Sequence, residues 1–138
     1  MDNRALNYVA LGKRGRLVEL GEEPVGAVAR AVKARLVVVA SDASDHTWRR
    51  AKSFVAGTEQ QCIRVPFTKE ELGFVVGRTS LAIAAFTDAA LALAFVRALP
   101  NAEKFADVSA KLEEKSKKLR QRRDEAKAHE RNLRKGKK

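Results

Sequence analysis

The run Leu36-Val37-Val38-Val39-Ala40 restricts the fold more than any other stretch of this chain. It is apolar, mostly β-branched and short, and it stops at the polar pair Ser41-Asp42. A strand with one wet face alternates apolar and polar residues, whereas one covered on both faces reads as a continuous run. The segment before it, Glu23 to Ala34, has helical spacing, with Val25, Val28, Ala29 and Val32 on one stripe and Arg30 and Lys33 off it. Gly21-Glu22-Glu23-Pro24 opens that helix. Proline is tolerated in a first turn, and acids there meet the positive end of the helix dipole. Arg16 to Leu20, RLVEL, reads as a short strand ahead of the turn. Gly15 to Ser44 is therefore strand, turn, helix, strand. Such a unit leaves the turn before the helix at the rim of the sheet, where backbone N–H groups face outward.

The rest of the first hundred residues continues the alternation. Residues 3–14 read as a helix through Leu6, Val9, Ala10 and Lys13, and Gly15 ends it. Ser44 or Asp45 caps a helix over about 46–56, closed by Gly57. Gln61 to Val65 is a strand ended by Pro66. Thr68-Lys69-Glu70-Glu71 spells a capping box for a short helix with Leu72, Val75 and Val76 on its apolar face, stopped at Gly77. Ser80 to Phe86 is a fourth strand, and Asp88 starts a helix that Pro100 halts. Helices and strands alternating through short connections predict an α/β fold, with a mixed or mostly parallel four-stranded sheet between helical layers.

After Pro100 the composition changes. Residues 101–138 hold 14 of the 28 Lys and Arg but only 7 of the 17 acids of a chain whose net charge is +11. The division predicted is a globular domain over 1–100 and a basic, charged helical tail over 101–138. Asn101 is its N-cap, and neither glycine nor proline recurs before Gly136. Phe105, Leu112, Leu119, Ala126 and Leu133 recur every seven residues, while the intervening Val108, Lys115, Arg122 and His129 are mostly basic. This is half of a heptad seam. It predicts a helix of roughly 50 Å, at ~1.5 Å per residue, docked through Phe105 and Val108 and then projecting.

Chemistry-bearing constellations are sparse. Ser44, Asp45 and His46 are neighbours in sequence, which is the wrong arrangement for a triad assembled in space. Cys62 lies inside an apolar strand, and His46 and His129 are far apart, so no zinc-ligand spacing exists. Neither phosphate-loop pattern is present. The pairs Glu22/Glu23, Glu70/Glu71 and Glu113/Glu114 sit at helix starts or on a charged helix, where capping and solvation account for them. The reading is a non-enzyme without metal or cofactor. No stretch approaches the ~20 apolar residues of a membrane span. The N-terminal residues lack a secretory apolar region, and one cysteine allows no internal disulfide, which fits a reducing cytosol; the expectation is a cytoplasmic protein, monomeric and with no membrane role. Excess positive charge calls for a polyanion. Lys13, Arg14 and Arg16, then Arg30, Lys33 and Arg35, then Arg49, Arg50 and Lys52, and finally Arg78 are the cations placed to meet phosphates, with Trp48 available to stack.

The segment GRLVELGEEPVGAVARAVKARLVVVASDAS resembles the bacterial YlxQ-type branch of the ribosomal protein L-seven-Ae superfamily. The likeness is carried by Gly15, Leu17, Val18, Gly21, Glu22, Glu23, Val25, Lys33, Ala34, Leu36, Val37, Ala40, Asp42, Ala43 and Ser44, with Thr68 to Gly73 and Thr87-Asp88 further on. It covers about residues 5–98. The resemblance implies a three-layer sandwich and an RNA-binding protein associated with translation and the ribosome. It implies two gripping elements: Gly21 to Ala27, and Gly77-Arg78-Thr79-Ser80. Members that bind kink-turn RNA carry a polar pair followed three residues on by lysine; here those places hold Glu23, Pro24 and Ala27, and Val32 stands where a glycine precedes the family's lysine. The expected RNA-contacting residues are accordingly Gly21, Glu22, Glu23, Pro24, Arg30, Lys33, Arg35, Arg78, Thr79 and Ser80, assisted by Lys117, Lys118, Arg120, Arg122 and Arg123 of the tail. The alternative is a protein-interaction module in which the half-heptad helix pairs with a partner helix and RNA binding by the sandwich is reduced or lost.

Overall fold

A computed structural model describes residues 4–135. Asn3, the predicted start of the first helix, and Gly136, the next glycine after the tail begins, lie outside the described residues. The elements are α1 (Arg4–Arg14), β1 (Val18–Leu20), α2 (Glu22–Arg30), β2 (Leu36–Val39), α3 (Asp45–Val55), β3 (Gln61–Arg64), α4 (Lys69–Phe74), β4 (Ile83–Phe86), α5 (Ala89–Arg97) and, after a 3₁₀ turn at Ala102–Phe105, α6 (Ala106–Lys135). No helix among the described residues is long and apolar enough to cross a membrane.

The four strands form one mixed sheet in the order β1-β4-β2-β3. β4 runs antiparallel to both of its neighbours, pairing Val18 with Phe86 on one side and Leu36 with Phe86 on the other. β2 and β3 are parallel, Leu36 opposite Gln61 and Val39 opposite Arg64. Parallel neighbours need a crossover, and α3 supplies it. The two central strands are buried at every position, which is why both read as continuous apolar runs. Each fully buried valine or leucine contributes ~1.5–3 kcal/mol relative to exposure. Helices lie on both faces: α2 and α3 pack together against the sheet, and α1 packs with α5. Phe86 of β4 meets Phe95 of α5 with ring centroids 4.9 Å apart.

Three local expectations change. The strand predicted from Arg16 starts at Val18, because Arg16 turns the chain with φ 59°. The strand predicted from Ser80 starts at Ile83. The helix predicted to reach Ala34 ends at Arg30, and Val32, assigned to its buried stripe, is 55% exposed. The Val32 N–H donates to the Ala29 carbonyl and the Lys33 N–H to the Val28 carbonyl, each at 2.9 Å. This is the Schellman ending, whose left-handed residue is usually glycine. Val32 occupies that place at φ 57°. A β-branched residue there costs on the order of 1–3 kcal/mol.

The tail docks further than Phe105 and Val108. Leu112, only 2% exposed, joins the core, and Ser116 is buried beside it. Arg97 of α5 pairs with Glu113 at 3.2 Å, and Gln61 Nε2 donates to the Val108 carbonyl at 3.4 Å. Exposed ion pairs of this kind contribute ~0–1 kcal/mol each, so the apolar contact dominates the docking. Beyond Leu119 the side chains through Leu133 are exposed except for half-buried Ala128.

Candidate nucleic-acid interface

The turn after β1 and the loop before β4 meet at one rim of the sheet. Gly21 leaves β1 with its N–H donating to the Ile83 carbonyl at 3.0 Å, and its φ of 96° turns the chain into α2. Arg78 Nη1 lies 3.7 Å, and Pro24 Cδ 3.8 Å, from the point where a β-carbon on Gly21 would stand. The chain is therefore packed on the inner side of the turn by Pro24 and covered by the arginine. Gly21, the N-cap of α2, offers no side chain to cap that helix.

The loop that carries Arg78, Thr79 and Ser80 is held by backbone rather than by side chains. The Gly73 carbonyl accepts from the N–H groups of Val76 and Arg78 at 3.0 and 2.8 Å. A β-carbon on Gly73 would lie 2.8 Å from both the Arg78 carbonyl oxygen and the Ser80 nitrogen, so the loop folds directly onto this glycine. Lys13 Nζ of α1 donates to the Val76 carbonyl at 2.6 Å, fixing the end of α4. At the other end of α4, Thr68 and Glu71 complete the predicted capping box, and the Lys69 N–H donates to Asp42 Oδ1 at 2.8 Å. Thr79 and Ser80 themselves are exposed.

The two acids at the mouth differ in their surroundings. Glu22 is ion-paired with Arg50 of α3, whose guanidinium also stands 5.4 Å above the Phe54 ring. Glu23 and Pro24 are exposed, as is Ala27. One turn on, Arg30 reaches back: its Nη1 lies 3.3 Å from the β-carbon position of Gly26, beside Phe54. A guanidinium thus stands over the second turn of α2, although position 27 offers no cation.

Lys33 and Arg35 are elsewhere. The Arg35 N–H donates to the Phe86 carbonyl at 2.7 Å, at the end of β4 opposite Ile83. Four-residue strands at ~3.3 Å per residue put the two ends roughly 10 Å apart. Of the expected contact residues, Gly21, Glu22, Glu23, Pro24, Arg78, Thr79 and Ser80 share the rim, Arg30 bends toward it, and Lys33 and Arg35 lie at the far end. In the tail, Lys117 and Lys118 pair with Glu113 and Glu114 at 3.4 and 3.3 Å, while Arg120, Arg122 and Arg123 are exposed. Trp48 is half-buried, flanked by Lys52 Nζ at 5.3 Å and the Arg64 guanidinium at 5.0 Å, an arrangement that occupies its face.

One rim residue escaped the sequence reading. Phe74 is 82% exposed at the end of α4, and its carbonyl accepts from the Gly77 N–H at 3.3 Å. The signal was present: Phe74 falls off the Leu72-Val75-Val76 stripe, so helical periodicity alone turns it outward. Cys62 behaves as its strand position suggests. Burial pushes its thiol up to about 12, against the smaller opposing pull of Lys52 and Arg64, so it is neutral at physiological pH.

No protein-family model matches the chain, and no curated protein sequence matches it. Solved structures do. A protein of unknown function from Bacillus halodurans C superposes with a TM-score of 0.63 at 22% identity, covering 69% of this chain and 95% of that one. The Giardia lamblia 15.5kD RNA binding protein superposes with a TM-score of 0.59 at 18% identity, covering 75% of this chain and 88% of that one. The fold is shared. These identities speak for the fold alone.

Proposed function

We propose that the protein is a non-enzymatic RNA-binding protein of the L-seven-Ae superfamily, in its YlxQ-type branch, acting in the cytoplasm in association with the ribosome. The observation that carries this reading is the meeting of Gly21 and Arg78 at one rim. The resemblance names these two elements as the RNA grip, and they come from parts of the chain far apart in sequence. The shared fold with a protein described as RNA-binding supports the same reading. The rim reads the shape of a bend or internal loop, a kink-turn or a relative of it, rather than a base sequence. Arg78 and Arg30 supply cations to the phosphates, and the exposed backbone of Gly21 to Pro24 allows close approach. Phe74 stacks on an unpaired base. Tail residues Arg120 and Arg123, together with Lys117, Lys118 and Arg122, add sequence-independent attraction. Residues 1–100 form the recognising unit and 101–138 its basic extension.

The test compares affinity for a kink-turn RNA, a straight duplex of equal length and bulk ribosomal RNA. It uses the full chain, Arg78→Ala, and a double variant Arg120→Glu/Arg123→Glu. The rim variant should lose preference for the bent RNA, and the tail variant should weaken all three alike. If the parent chain shows no preference among the three, shape reading at the rim is wrong.

Pairing of α6 with a partner helix is less favoured by the geometry. The seam residues Phe105 and Leu112 face the chain's own core, and Leu119 is half-buried.

A further inference from the structure

At the far end of the sheet, away from the Gly21–Arg78 rim, the docked half of α6 encloses a cleft of about 600 Å³ against the starts of β2 and β3. This is within the size range of a small-ligand site. Lys111, Lys115, Lys118 and Arg122 all line it. Their spacing of four, three and four residues places them along one face of the helix. Arg35 stands at the opposite wall. Lys118 is engaged by Glu114, but the structure gives Arg35, Lys111, Lys115 and Arg122 no ion pair among the described residues, and Glu59 is the remaining acid in the lining.

Three further observations make this more than a charged surface. The Arg35 Nε is buried and lacks a hydrogen-bond acceptor among the described residues, although a buried guanidinium donor ordinarily finds one. The floor is held by Gln60, itself buried, whose Oε1 accepts from the Ala34 N–H at 2.9 Å and whose Nε2 donates to the Ala29 carbonyl at 3.1 Å. The rim of the cleft carries Val32, the left-handed valine, exposed where a glycine would satisfy the Schellman ending without strain. Strained backbone positions cluster at ligand clamps and functional sites, and Val32 holds one at the cavity mouth.

We propose that this cleft binds a nucleotide, with its phosphate received by Lys111, Lys115, Arg122 and the guanidinium of Arg35, and its base laid against the apolar face of Val32. The phosphate-bearing unit comes either from a single-stranded segment of RNA or from a free nucleotide. The site is independent of the rim, so the rim reading can fail without it.

The full chain is titrated by calorimetry with inorganic phosphate, AMP, ATP and a 5′-phosphorylated single-stranded RNA tetranucleotide in about 0.1 M salt. Lys115→Glu and Arg35→Gln should each weaken nucleotide binding at least tenfold, and Val32→Gly should weaken AMP more than inorganic phosphate. Arg78→Ala should change it less than twofold, and the tail pair Arg120→Glu/Arg123→Glu should weaken AMP binding less than the cleft variants do. Thermal melts of all variants confirm folding, and Lys111→Glu, at an exposed position, substitutes for Arg35→Gln if that variant melts early. Tighter binding of the tetranucleotide than of ATP assigns the site to an RNA strand, and the reverse order assigns it to a free nucleotide. Absence of binding by all four probes overturns the proposal. Equal weakening by the cleft and tail variants does so too, since it marks general attraction to the helix.

Discussion

The Arg78 guanidinium covers Gly21, its Nη1 3.7 Å from the point that a β-carbon on that glycine would occupy. The contact joins the start of α2 to the loop before β4 and places a cation over a helix N-terminus whose cap residue, Gly21, has no side chain. Removing the cation should cost one phosphate contact. Arg78→Ala is expected to make the slope of log affinity against log salt shallower by roughly 0.7–0.9. Thermal stability should change little, because Arg78 is exposed. An unchanged slope in a filter-binding series from low to moderate salt would remove Arg78 from the interface.

Gly73 sets the loop that presents Arg78. A β-carbon there meets backbone atoms of Arg78 and Ser80 at 2.8 Å, and backbone does not swing aside as a flexible side chain does. Gly73→Ala should destabilise the protein by about 1–3 kcal/mol, as overpacking does. It should weaken RNA binding more than Arg78→Ala, because the whole loop shifts. Urea unfolding and RNA titration of the same variant check both halves.

Phe74 separates stacking from packing. An aromatic ring that is 82% exposed contributes little to the fold. Base stacking on such a ring is worth ~1–3 kcal/mol per base. Phe74→Ala should therefore lower RNA affinity by roughly 5- to 150-fold with no loss of melting temperature. A variant that melts lower but binds normally would place Phe74 in a packing role instead.

Leu112 fastens the tail. Its side chain is buried in the common core although it lies twelve residues beyond Pro100. Leu112→Ala should cost about 2–5 kcal/mol. Leu133→Ala, at an exposed position on the same heptad seam, should cost next to nothing. Calorimetric melts of the pair show whether the first turns of α6 unfold with the sandwich.

Cys62 carries a pH signature. Its thiol is raised from 9.0 in the free group to about 12 by burial. Between those values the unfolded chain releases its proton while the folded chain keeps it. The contribution of the thiol to stability is therefore complete below pH 9 and is lost as pH rises toward 12. Cys62→Ala should flatten the alkaline fall in stability over that window. At pH 8, alkylation of the native protein should be far slower than that of the denatured chain.

Much of the fold was legible because the strongest signals are local. Leu36 to Ala40 is buried throughout, as a run without polar interruption must be. Thr68 and Asp88 cap the helices that their spelling announces. The misreadings occur where a local rule meets a long-range constraint. Val32 has the periodicity of a buried stripe, yet the chain must leave α2 at Arg30 to enter β2 in register with Phe86, and the turn overrides the pattern. Leu112 looks like a member of a thin seam for a partner helix, but α5 lies close enough to take it in, and Ser116 one turn on is buried with it. Within the site, charge identified the cations without locating them. Lys33 and Arg35 follow the turn at Gly21 closely in sequence and stand at the opposite end of the sheet, because α2 carries the chain the length of a strand.

By itself the sequence determined the layers: which residues form strands covered on both faces, which helices cap them, and that half the positive charge gathers after Pro100. Those properties depend on spacing of three or four residues and on side-chain chemistry that no fold alters. Only the tertiary structure decided the neighbours. Inserting β4 between β1 and β2 brings Ile83 beside Gly21 and sets Arg78 over that glycine. Packing of α3 on α2 lets Arg50 neutralise Glu22. Docking of α6 opposes its cations to Arg35 across a cleft. Each of these relationships joins residues more than twenty positions apart, and strand order and helix docking, which set such distances, are properties of the whole chain.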